Sequence, residues 1–379
     1  MRFDLPRSLG LLLVLLLPST AWSQQAPTPP PVARTGPLSG YMDFHFNKVE
    51  HEDGVLDFHR FVLLFHHSFT PRIRFVGELE LEHAFVEGLE EAGELELEQA
   101  YLDFLIKRSF NIRAGMVLVP VGIINERHEP PVFNGVERPL LDTAIVPSTW
   151  FEPGVGIHGE IGRGWRYRAY VLSPLNALEF SADEGIRGGR QKGSQARLRN
   201  AAMAARVEYL GIPDVSFGGS VWLGKGNSLD TPLLETAVRL KEVDARYAGD
   251  RLELRAQFAD LTIDRADLVN DAVTQLIGVD PNVARGLRGF YTEAAYRLWA
   301  AGSPRDLVGF VRYERVHTQH RMPDGWFPLE EFNRSAWVFG LTYFPDPDVA
   351  VKLDFVRQSN RSGFISSPSS FNLGLGWWF

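Results

Sequence analysis

Hydrophobic and polar residues alternate with a period of two along most of this chain, and the pattern is clearest in the last ten residues, Ser370 to Phe379. One face of this stretch carries only large apolar side chains: Phe371, Leu373, Leu375, Trp377 and Phe379. The other face carries small or amphipathic ones: Asn372, Gly374, Gly376 and Trp378. Because successive side chains of a β-strand point to opposite faces, the pattern predicts a strand between an apolar medium and a second environment. A core strand of a soluble β-sandwich is the alternative interpretation.

The same alternation predicts fifteen further strands. In the first of them Met42, Phe44 and Phe46 alternate with Asp43 and His45, so one face meets apolar surroundings and the other meets water. The predicted strands are 38–47, 56–67, 71–84, 94–106, 110–120, 154–161, 165–173, 201–210, 214–223, 235–247, 251–261, 289–299, 306–317, 335–344, 348–357 and 370–379. Within 235–247 the phase of the alternation changes after Lys241, which predicts a β-bulge.

The connections between these strands alternate between short turns and long loops. The seven short ones are 68–71, 107–109, 162–164, 211–214, 248–250, 301–304 and 345–348. The eight longer ones are 48–55, 85–93, 121–153, 174–200, 224–234, 262–288, 318–334 and 358–369. Short periplasmic turns opposite long external loops are typical of outer-membrane barrels. We therefore predict an all-β fold for residues 37–379, a transmembrane antiparallel β-barrel of about sixteen strands.

Aromatic residues next to the short turns support this prediction. They are Phe69, Phe110, Trp165, Tyr209, Tyr247, Trp299, Tyr343, Phe344 and Trp377 to Phe379. Amphipathic rings settle at the headgroup level of a bilayer, so a barrel is expected to carry a girdle of them at each interface. A soluble sandwich gives no reason for such regular placement.

The N-terminal segment has the pattern of a Sec signal peptide. Arg2 and Arg7 precede an apolar run, Leu11–Leu17, and Ala21-Trp22-Ser23 offers small residues for cleavage. We predict that residues 1–23 are a signal peptide and that the Pro-rich residues 24–36 are a periplasmic leader. Beyond residue 23 the sequence has no apolar run of 18 residues or more, so no transmembrane helix is predicted. The expected location is the bacterial outer membrane, with its lipid as a partner.

Composition excludes some kinds of site and partner. The chain has no cysteine, so no disulfide, lipoprotein anchor or thiolate metal site is expected. The formal net charge is −8 and becomes −9 without residues 1–23, which hold two arginines and one aspartate. This acidity argues against a nucleic acid as partner. No cofactor is predicted.

The polar faces of the predicted strands are rich in charge. A barrel of about sixteen strands leaves an aqueous channel, so these faces are expected to line a pore. The predicted pore-lining residues are Arg72, Arg74, Glu78, Glu80, Arg113, Arg166, Arg168, Arg239, Lys241, Arg255, Arg297 and Arg312. Opposed rows of arginine and carboxylate orient solutes, and a basic stripe attracts anions. Mutual cross-strand pairing as part of the wall is the alternative role.

The longest connection, 121–153, combines charges with apolar residues such as Phe133, Ile145 and Trp150. A loop of this length with its own apolar anchors is expected to be ordered. We predict that it folds inward and narrows the channel, with an external cap or a latch between protomers as alternatives. The candidate constriction residues are Glu126, Arg127, His128, Glu129, Glu137 and Arg138.

Three stretches carry a family resemblance: EQAYLDF at 98–104, IRAGMVLVPVG at 112–122 and FEPGVG at 151–156. They resemble the phosphate-selective porin O and P family, and the last strand resembles the C-terminal strand of bacterial outer-membrane barrels. The resemblance implies a sixteen-stranded homotrimer with an arginine ladder and a lysine-bearing constriction. The long loop of this chain has no lysine and carries acidic residues instead. Porin architecture is thus expected, and phosphate selectivity is not supported by the loop.

The function predicted from these patterns is passive diffusion of small hydrophilic solutes, including anions such as phosphate, through an outer-membrane porin. A structural or adhesive barrel with a closed lumen is the alternative, because loops 174–200 and 262–288 are long enough to bind a partner. An enzyme is not predicted. His59, His66, His67 and Ser68 form a close group, but no pattern supplies an acid partner or an oxyanion hole. The aspartates of loop 262–288 lack the spacing of a calcium loop, so no metal site is predicted.

Overall fold

The computed structural model describes residues 37–84, 93–226, 236–299 and 305–379. The predicted signal peptide and leader, residues 1–36, lie outside the described residues. The strands are β1 Leu38–Val49, β2 Gly54–Thr70, β3 Ile73–Glu82, β4 Leu95–Lys107, β5 Phe110–Leu118, β6 Phe151–Ile161, β7 Trp165–Leu172, β8 Ala202–Ile212, β9 Val215–Gly226, β10 Thr236–Ala248, β11 Leu252–Ile263, β12 Gly286–Arg297, β13 Asp306–Arg321, β14 Asn333–Asp346, β15 Val349–Asn360 and β16 Ser370–Trp378. Every predicted strand corresponds to one of them.

All sixteen strands form one closed antiparallel barrel in which each strand pairs with its neighbours in sequence and β16 pairs with β1. At the closure Leu373 lies opposite Phe46, and the backbone amide of Gly40 donates to the carbonyl of Phe379 at 3.0 Å. Because β16 and β1 are joined, neither strand leaves an unpaired edge. The predicted antiparallel barrel of sixteen strands is confirmed.

The outer surface of the barrel is apolar through its middle. On β15, for example, Val351, Leu353 and Phe355 are exposed, whereas the intervening Lys352 and Asp354 are buried on the inner side. Aromatic pairs stand beside the short turns: the ring centroids of Trp165 and Tyr209 are 4.8 Å apart, and those of Trp299 and Tyr343 are 5.6 Å apart. An apolar band bordered by aromatic rings is the surface that contact with lipid favours.

Part of the lumen is filled by a hydrophobic core. The loops between β5 and β6, β7 and β8, and β11 and β12 bring in Trp150, Phe180 and Val269, which pack with the inward side chains of the wall. Two helices belong to these loops, α1 (Leu141–Ala144) and α2 (Ala266–Ile277). Each large side chain buried this way stabilises the loops by about 1.5–3 kcal/mol. Among the described residues, no helix is both long enough and apolar enough to cross a membrane.

This core explains why the prediction for β10 is wrong in two respects. The register of β10 with β9 and with β11 runs without a shift, so the predicted bulge after Lys241 is absent. Val238 and Leu240 point inward and are fully buried in the core, and therefore Arg239 and Lys241 lie on the outer face. The apolar face of a strand marks the lipid side only where the lumen holds water. At this end of β10 the lumen holds the loop core.

Candidate functional site

The long loop between β5 and β6 lies inside the barrel. The backbone amide of Val136 donates to Asp354 at 2.6 Å, and the amide of Leu140 donates to Glu314 at 2.5 Å. Lys352 donates from its Nζ to two carbonyls of the loop, those of residues 133 and 135, at 2.9 and 2.7 Å. All three wall side chains point inward from β13 and β15. The loop therefore folds into the lumen, as predicted, and does not form an external cap.

Asn125 joins the two ends of this loop. Its amide nitrogen donates to the carbonyls of Val119 and Trp150 at 2.8 and 2.9 Å, and its amide oxygen accepts from the backbone nitrogen of Trp150 at 2.6 Å. The side chain is buried, so these bonds replace water for three backbone groups at once. Asn125 is not among the predicted constriction residues. Its sequence context gives no signal, because the bonds join positions 25 residues apart.

The predicted constriction residues Glu137 and Arg138 face the wall formed by β1 and β2. Glu137 accepts a hydrogen bond from Asn47 at 2.8 Å and lies 3.2 Å from Nδ1 of His45. Burial raises the pKa of Glu137, but the contacts with His45 and Asn47 outweigh it and hold that pKa below its usual range. Burial, reinforced by repulsion from Arg60, lowers the pKa of Arg138 to about 10. Glu137 is therefore held by β1 although 47% of its side chain is exposed, and Nη2 of Arg138 has no hydrogen-bond partner among the described residues.

Asp142 in α1 is a buried carboxyl at the centre of the loop. Gln257 of β11 donates to its Oδ1 at 3.2 Å, and its Oδ2 has no hydrogen-bond partner among the described residues. Burial raises the pKa of Asp142 to about 7, against the opposing effect of the Gln257 bond. A carboxyl with a raised pKa thus lies buried at the centre of the inward-folded loop.

Nine of the twelve predicted pore-lining residues point into the lumen. They are Arg74, Glu78, Glu80, Arg113, Arg166, Arg168, Arg255, Arg297 and Arg312. Arg72 lies in the turn between β2 and β3. Arg239 and Lys241 lie on the outer face, as described above, and their predicted place on the inner wall is corrected.

Most inward arginines are paired with carboxylates of the wall. Arg113 holds Asp103 through two hydrogen bonds of 2.8 Å, and Arg168 lies 2.5 Å from Glu208. Arg312 of β13 is the most constrained arginine of the wall: it lies 3.2 Å from Glu293, 2.5 Å from Glu314, and it also donates to the loop carbonyl of Asn134. Bidentate and charge-assisted bonds of this kind are strong and leave little positive charge for solutes. These contacts are the cross-strand pairs expected of the alternative role, wall structure.

Other arginines have no carboxylate ion pair among the described residues, including Arg74 and Arg138 as well as three on β10, β11 and the long loop. Arg246 of β10 and Arg255 of β11 are directly opposite in register, and both point inward. Arg127 enters from the long loop and lies in the electrostatic field of Arg246. Across the described ranges no carboxylate oxygen comes within 4 Å of these three guanidiniums. We call Arg127, Arg246 and Arg255 the arginine cluster.

Arg246 is absent from the predicted pore-lining set, although the sequence holds a signal for it. Tyr247 next to the short turn is an aromatic girdle residue and faces outward, so its neighbour must face inward. The sequence gives no such signal for Arg127, because only the fold of the long loop brings it near β10. Arg255 and Arg127 repel Arg246, whereas Glu293 of β12 lies opposite Arg255 in register and attracts it.

Sequence comparison gives one informative relative. An uncharacterized protein of Aquifex aeolicus (strain VF5) is 33% identical over 336 residues, which are 86% of this chain and 76% of the relative. This chain belongs to the family of that Aquifex protein. No family model matches the sequence. The resemblance of this chain to the phosphate-selective porin O and P family is therefore not confirmed and stays a prediction.

Solved structures share the barrel fold at low sequence identity. The outer membrane channel DcaP of Acinetobacter baumannii superposes with a TM-score of 0.59 at 12% identity, covering 90% of this chain and 96% of that one. Salmonella typhi OmpF, in complex with daunomycin, superposes with a TM-score of 0.60 at 11% identity, covering 90% of this chain and 97% of that one. The trimer form of Vibrio cholerae OmpT, an outer membrane protein, superposes with a TM-score of 0.55 at 10% identity, covering 90% of this chain and 98% of that one. The fold is that of outer-membrane porins.

Proposed function

We propose that this protein is an outer-membrane porin that lets small hydrophilic solutes diffuse passively and favours anions. The arginine cluster carries the proposal. Arg246 and Arg255 face each other inside the barrel, Arg127 of the long loop interacts electrostatically with Arg246, and no carboxylate oxygen of the described residues lies within 4 Å of the three guanidiniums. Positive charge held between low-dielectric walls raises the local concentration of anions and lowers their barrier to passage.

The outer membrane as location is supported by the apolar outer band and its aromatic borders. It is also supported by the fold shared with DcaP, an outer membrane channel of Acinetobacter baumannii, and with OmpT, an outer membrane protein of Vibrio cholerae. A homotrimer is proposed by analogy with the trimer form of Vibrio cholerae OmpT. Export by the signal peptide at residues 1–23 belongs to the same proposal.

The arrangement of the histidines on β2 argues against catalysis and so favours transport. His66 lies opposite Val76 and His67 opposite Phe75, so the two side chains point to opposite faces of the wall. His67 packs edge-on against the ring of Phe69 at 4.7 Å. A nucleophile and its base must share one face and a hydrogen bond. His66 and Ser68 share a face, but no hydrogen bond joins them among the described residues. Phosphate is proposed only as one of the anions that the cluster would attract.

A structural or adhesive barrel is the second candidate, and the loop core is the observation that favours it. Trp150 and Trp222 are fully buried in the lumen, with ring centroids 5.5 Å apart. If this core blocks the lumen along its whole length, the loops rather than a pore are the working surface. The two functions differ in conductance, which makes one measurement decisive.

The experiment is single-channel recording of the purified protein in planar bilayers, with the reversal potential measured across a salt gradient. We expect discrete steps and a reversal potential that shows anion preference. Arg246→Gln and Arg255→Gln are expected to reduce the anion-to-cation permeability ratio several-fold. Arg239→Gln is the matched control, since it removes the same charge from the outer face of the same strand and should leave the ratio unchanged.

Cation preference in the wild-type protein would overturn the anion assignment while keeping the porin. A folded barrel that shifts its electrophoretic mobility on heating but gives no steps would overturn the porin and support the closed-lumen barrel. An equal effect of Arg239→Gln and Arg246→Gln would show that surface charge, not the arginine cluster, sets the selectivity.

A further inference from the structure

A second polar cluster lies where the long loop meets β3 and β4. Glu78 of β3, Glu98 of β4 and His128 of the loop each place one ligand-type atom there, and these atoms lie within 4.8 Å of one another. The three residues are 2%, 0% and 2% exposed. Tyr41 of β1 completes the group, with its hydroxyl 3.0 Å from Nε2 of His128 and 3.3 Å from Glu78. We call Glu78, Glu98 and His128 the carboxylate–histidine site.

His128 makes a hydrogen bond outside this site through its Nδ1 atom. That bond decides the protonation of the ring and leaves Nε2 to face the site as an acceptor. Nδ1 lies 3.0 Å from the backbone carbonyl of Asn125, which can only accept, so Nδ1 carries a proton. In the neutral ring Nε2 then presents its lone pair to the site. Nε2 is 3.1 Å from Oε2 of Glu98 and 3.9 Å from Oε1 of Glu78. A lone pair thus faces carboxylate oxygens, and such an arrangement favours a cation or a shared proton between them.

The hydroxyl of Tyr41 does not remove this conflict. It has one proton, which it can donate either to His128 or to Glu78 but not to both. Both oxygens of Glu98 remain without a hydrogen bond among the described residues. A fully buried carboxylate in this state is rare in folded proteins and points to an ion, a water or a shared proton.

The charge of the surroundings points to the same conclusion. Four buried carboxylates and two guanidiniums interact electrostatically here: Glu78, Glu80, Glu98, Glu129, Arg60 and Arg138. The acidic side chains here outnumber the guanidiniums, and a cation bound between Glu78 and Glu98 would reduce the repulsion between them.

We propose that Glu78, Glu98 and His128 bind one divalent transition-metal cation, which fastens the long loop to β3 and β4. One imidazole nitrogen with carboxylate oxygens suits Zn²⁺ or Mn²⁺, whereas Mg²⁺ and Ca²⁺ prefer oxygen alone. The bond from Nδ1 to the Asn125 carbonyl is the orienting contact that metal-bound histidines usually have. The proposal does not depend on whether the barrel conducts.

A neighbouring group of histidines needs no metal and provides the control. His59 and His83 lie 3.1 and 2.9 Å from the same oxygen of Asp57 through their Nδ1 atoms. Each can donate a proton to that oxygen, so all three side chains are satisfied by hydrogen bonds. The group is also partly exposed, with a quarter to a third of each side chain open to solvent. Any metal it takes up is open to a chelator.

The test is zinc retention by the full chain refolded in detergent with Zn²⁺ present and then dialysed against EDTA. Because the carboxylate–histidine site is sealed, we expect one zinc per chain to remain by elemental analysis. We expect Glu98→Gln and His128→Asn to retain less than a tenth of that amount. Asn at position 128 keeps a donor near the Asn125 carbonyl but removes the Nε2 ligand. His83→Asn is the matched control and should retain the zinc.

X-ray absorption at the zinc edge identifies the ligands directly in the wild-type protein. We expect a single imidazole nitrogen with oxygen ligands. Folded wild-type barrel without retained zinc would overturn the proposal and assign a shared proton to the site. Full retention by folded His128→Asn or by Glu98→Gln, or a spectrum with two imidazoles, would also overturn it by placing the metal elsewhere. The wild-type result decides the matter even if a variant does not fold.

Discussion

Arg246 and Arg255 face each other across β10 and β11 with both side chains directed into the barrel, and no described carboxylate separates them. Two like charges directly opposite in a sheet destabilise it. A wall built only for stability would pair them, as it pairs Arg206 with Asp244 at 2.6 Å and with Glu242 at 3.1 Å. Their retention in the lumen is the structural basis of the anion preference proposed above.

Replacing Arg246 with Gln is expected to stabilise the barrel while it weakens selectivity. The free energy of unfolding in denaturant should rise by about 0.5–1 kcal/mol, because the repulsion with Arg255 is removed. Arg239→Gln should lower it slightly or not at all, since its exposed pair with Asp264 contributes about 0–1 kcal/mol. A loss of stability in Arg246→Gln would mean that the arginine is bound by a group the structure does not show.

Lys352 fastens the long loop to β15, and Lys352→Met is expected to release it. The change removes two hydrogen bonds from a charged donor to loop carbonyls and should lower the free energy of unfolding by about 2–4 kcal/mol. If the loop narrows the channel, the single-channel conductance should also rise. Arg357→Met on the outer face of the same strand is the control for both measurements. Unchanged conductance with reduced stability would show that the loop does not limit the flow.

The raised pKa of Asp142 in the long loop predicts that the free energy of unfolding depends on pH. Its pKa in the folded protein is about 7, above the ordinary value of 3.8, so the folded state binds its proton more tightly than the unfolded state. The stabilisation of the folded state by this bound proton is therefore fully present below about pH 4 and is lost as the pH rises through about 7. Asp142→Asn removes this dependence.

The measurement is the free energy of unfolding of both proteins between pH 4 and pH 8.5. We expect the two curves to converge near pH 4 and to separate by about 2–4 kcal/mol at pH 8.5, with the Asn variant more stable. Asn keeps an oxygen that can accept the bond from Gln257. Parallel curves over the whole range would show that Asp142 keeps its ordinary pKa.

Gly115 of β5 lies where no larger residue fits, and Gly115→Ala is expected to impair folding. Its φ is +135°, and a Cβ there would lie 2.3 Å from the carbonyl oxygen of Ala100 on β4. Strain of this kind costs about 1–3 kcal/mol or more. Gly309→Ala on β13 is the control, since the nearest atom to its Cβ would be 3.5 Å away. The yield of heat-modifiable barrel should fall only for Gly115→Ala, and equal yields would contradict the steric argument.

The wall could be predicted from sequence because its rule is local. Phe371, Leu373 and Leu375 alternate with Asn372 and Gly374 wherever one face meets lipid and the other meets water, and that rule needs no knowledge of distant residues. Strand count, turn positions, barrel closure and the inward position of Arg113 or Arg168 follow from it. The rule failed at Val238 to Lys241, where the lumen is filled by loops and the inner face is the apolar one.

The sequence by itself determined the barrel and the charged character of its inner face, because a period of two is written into consecutive residues. Only the tertiary structure decided which charges remain unpaired. Arg127 meets Arg246 and His128 meets Glu78 only after the loop has crossed the lumen, and Arg312 is neutralised by Glu293 and Glu314 through the same closure. Pairing depends on distances of a few ångströms between residues far apart in the chain, and no local pattern encodes those distances.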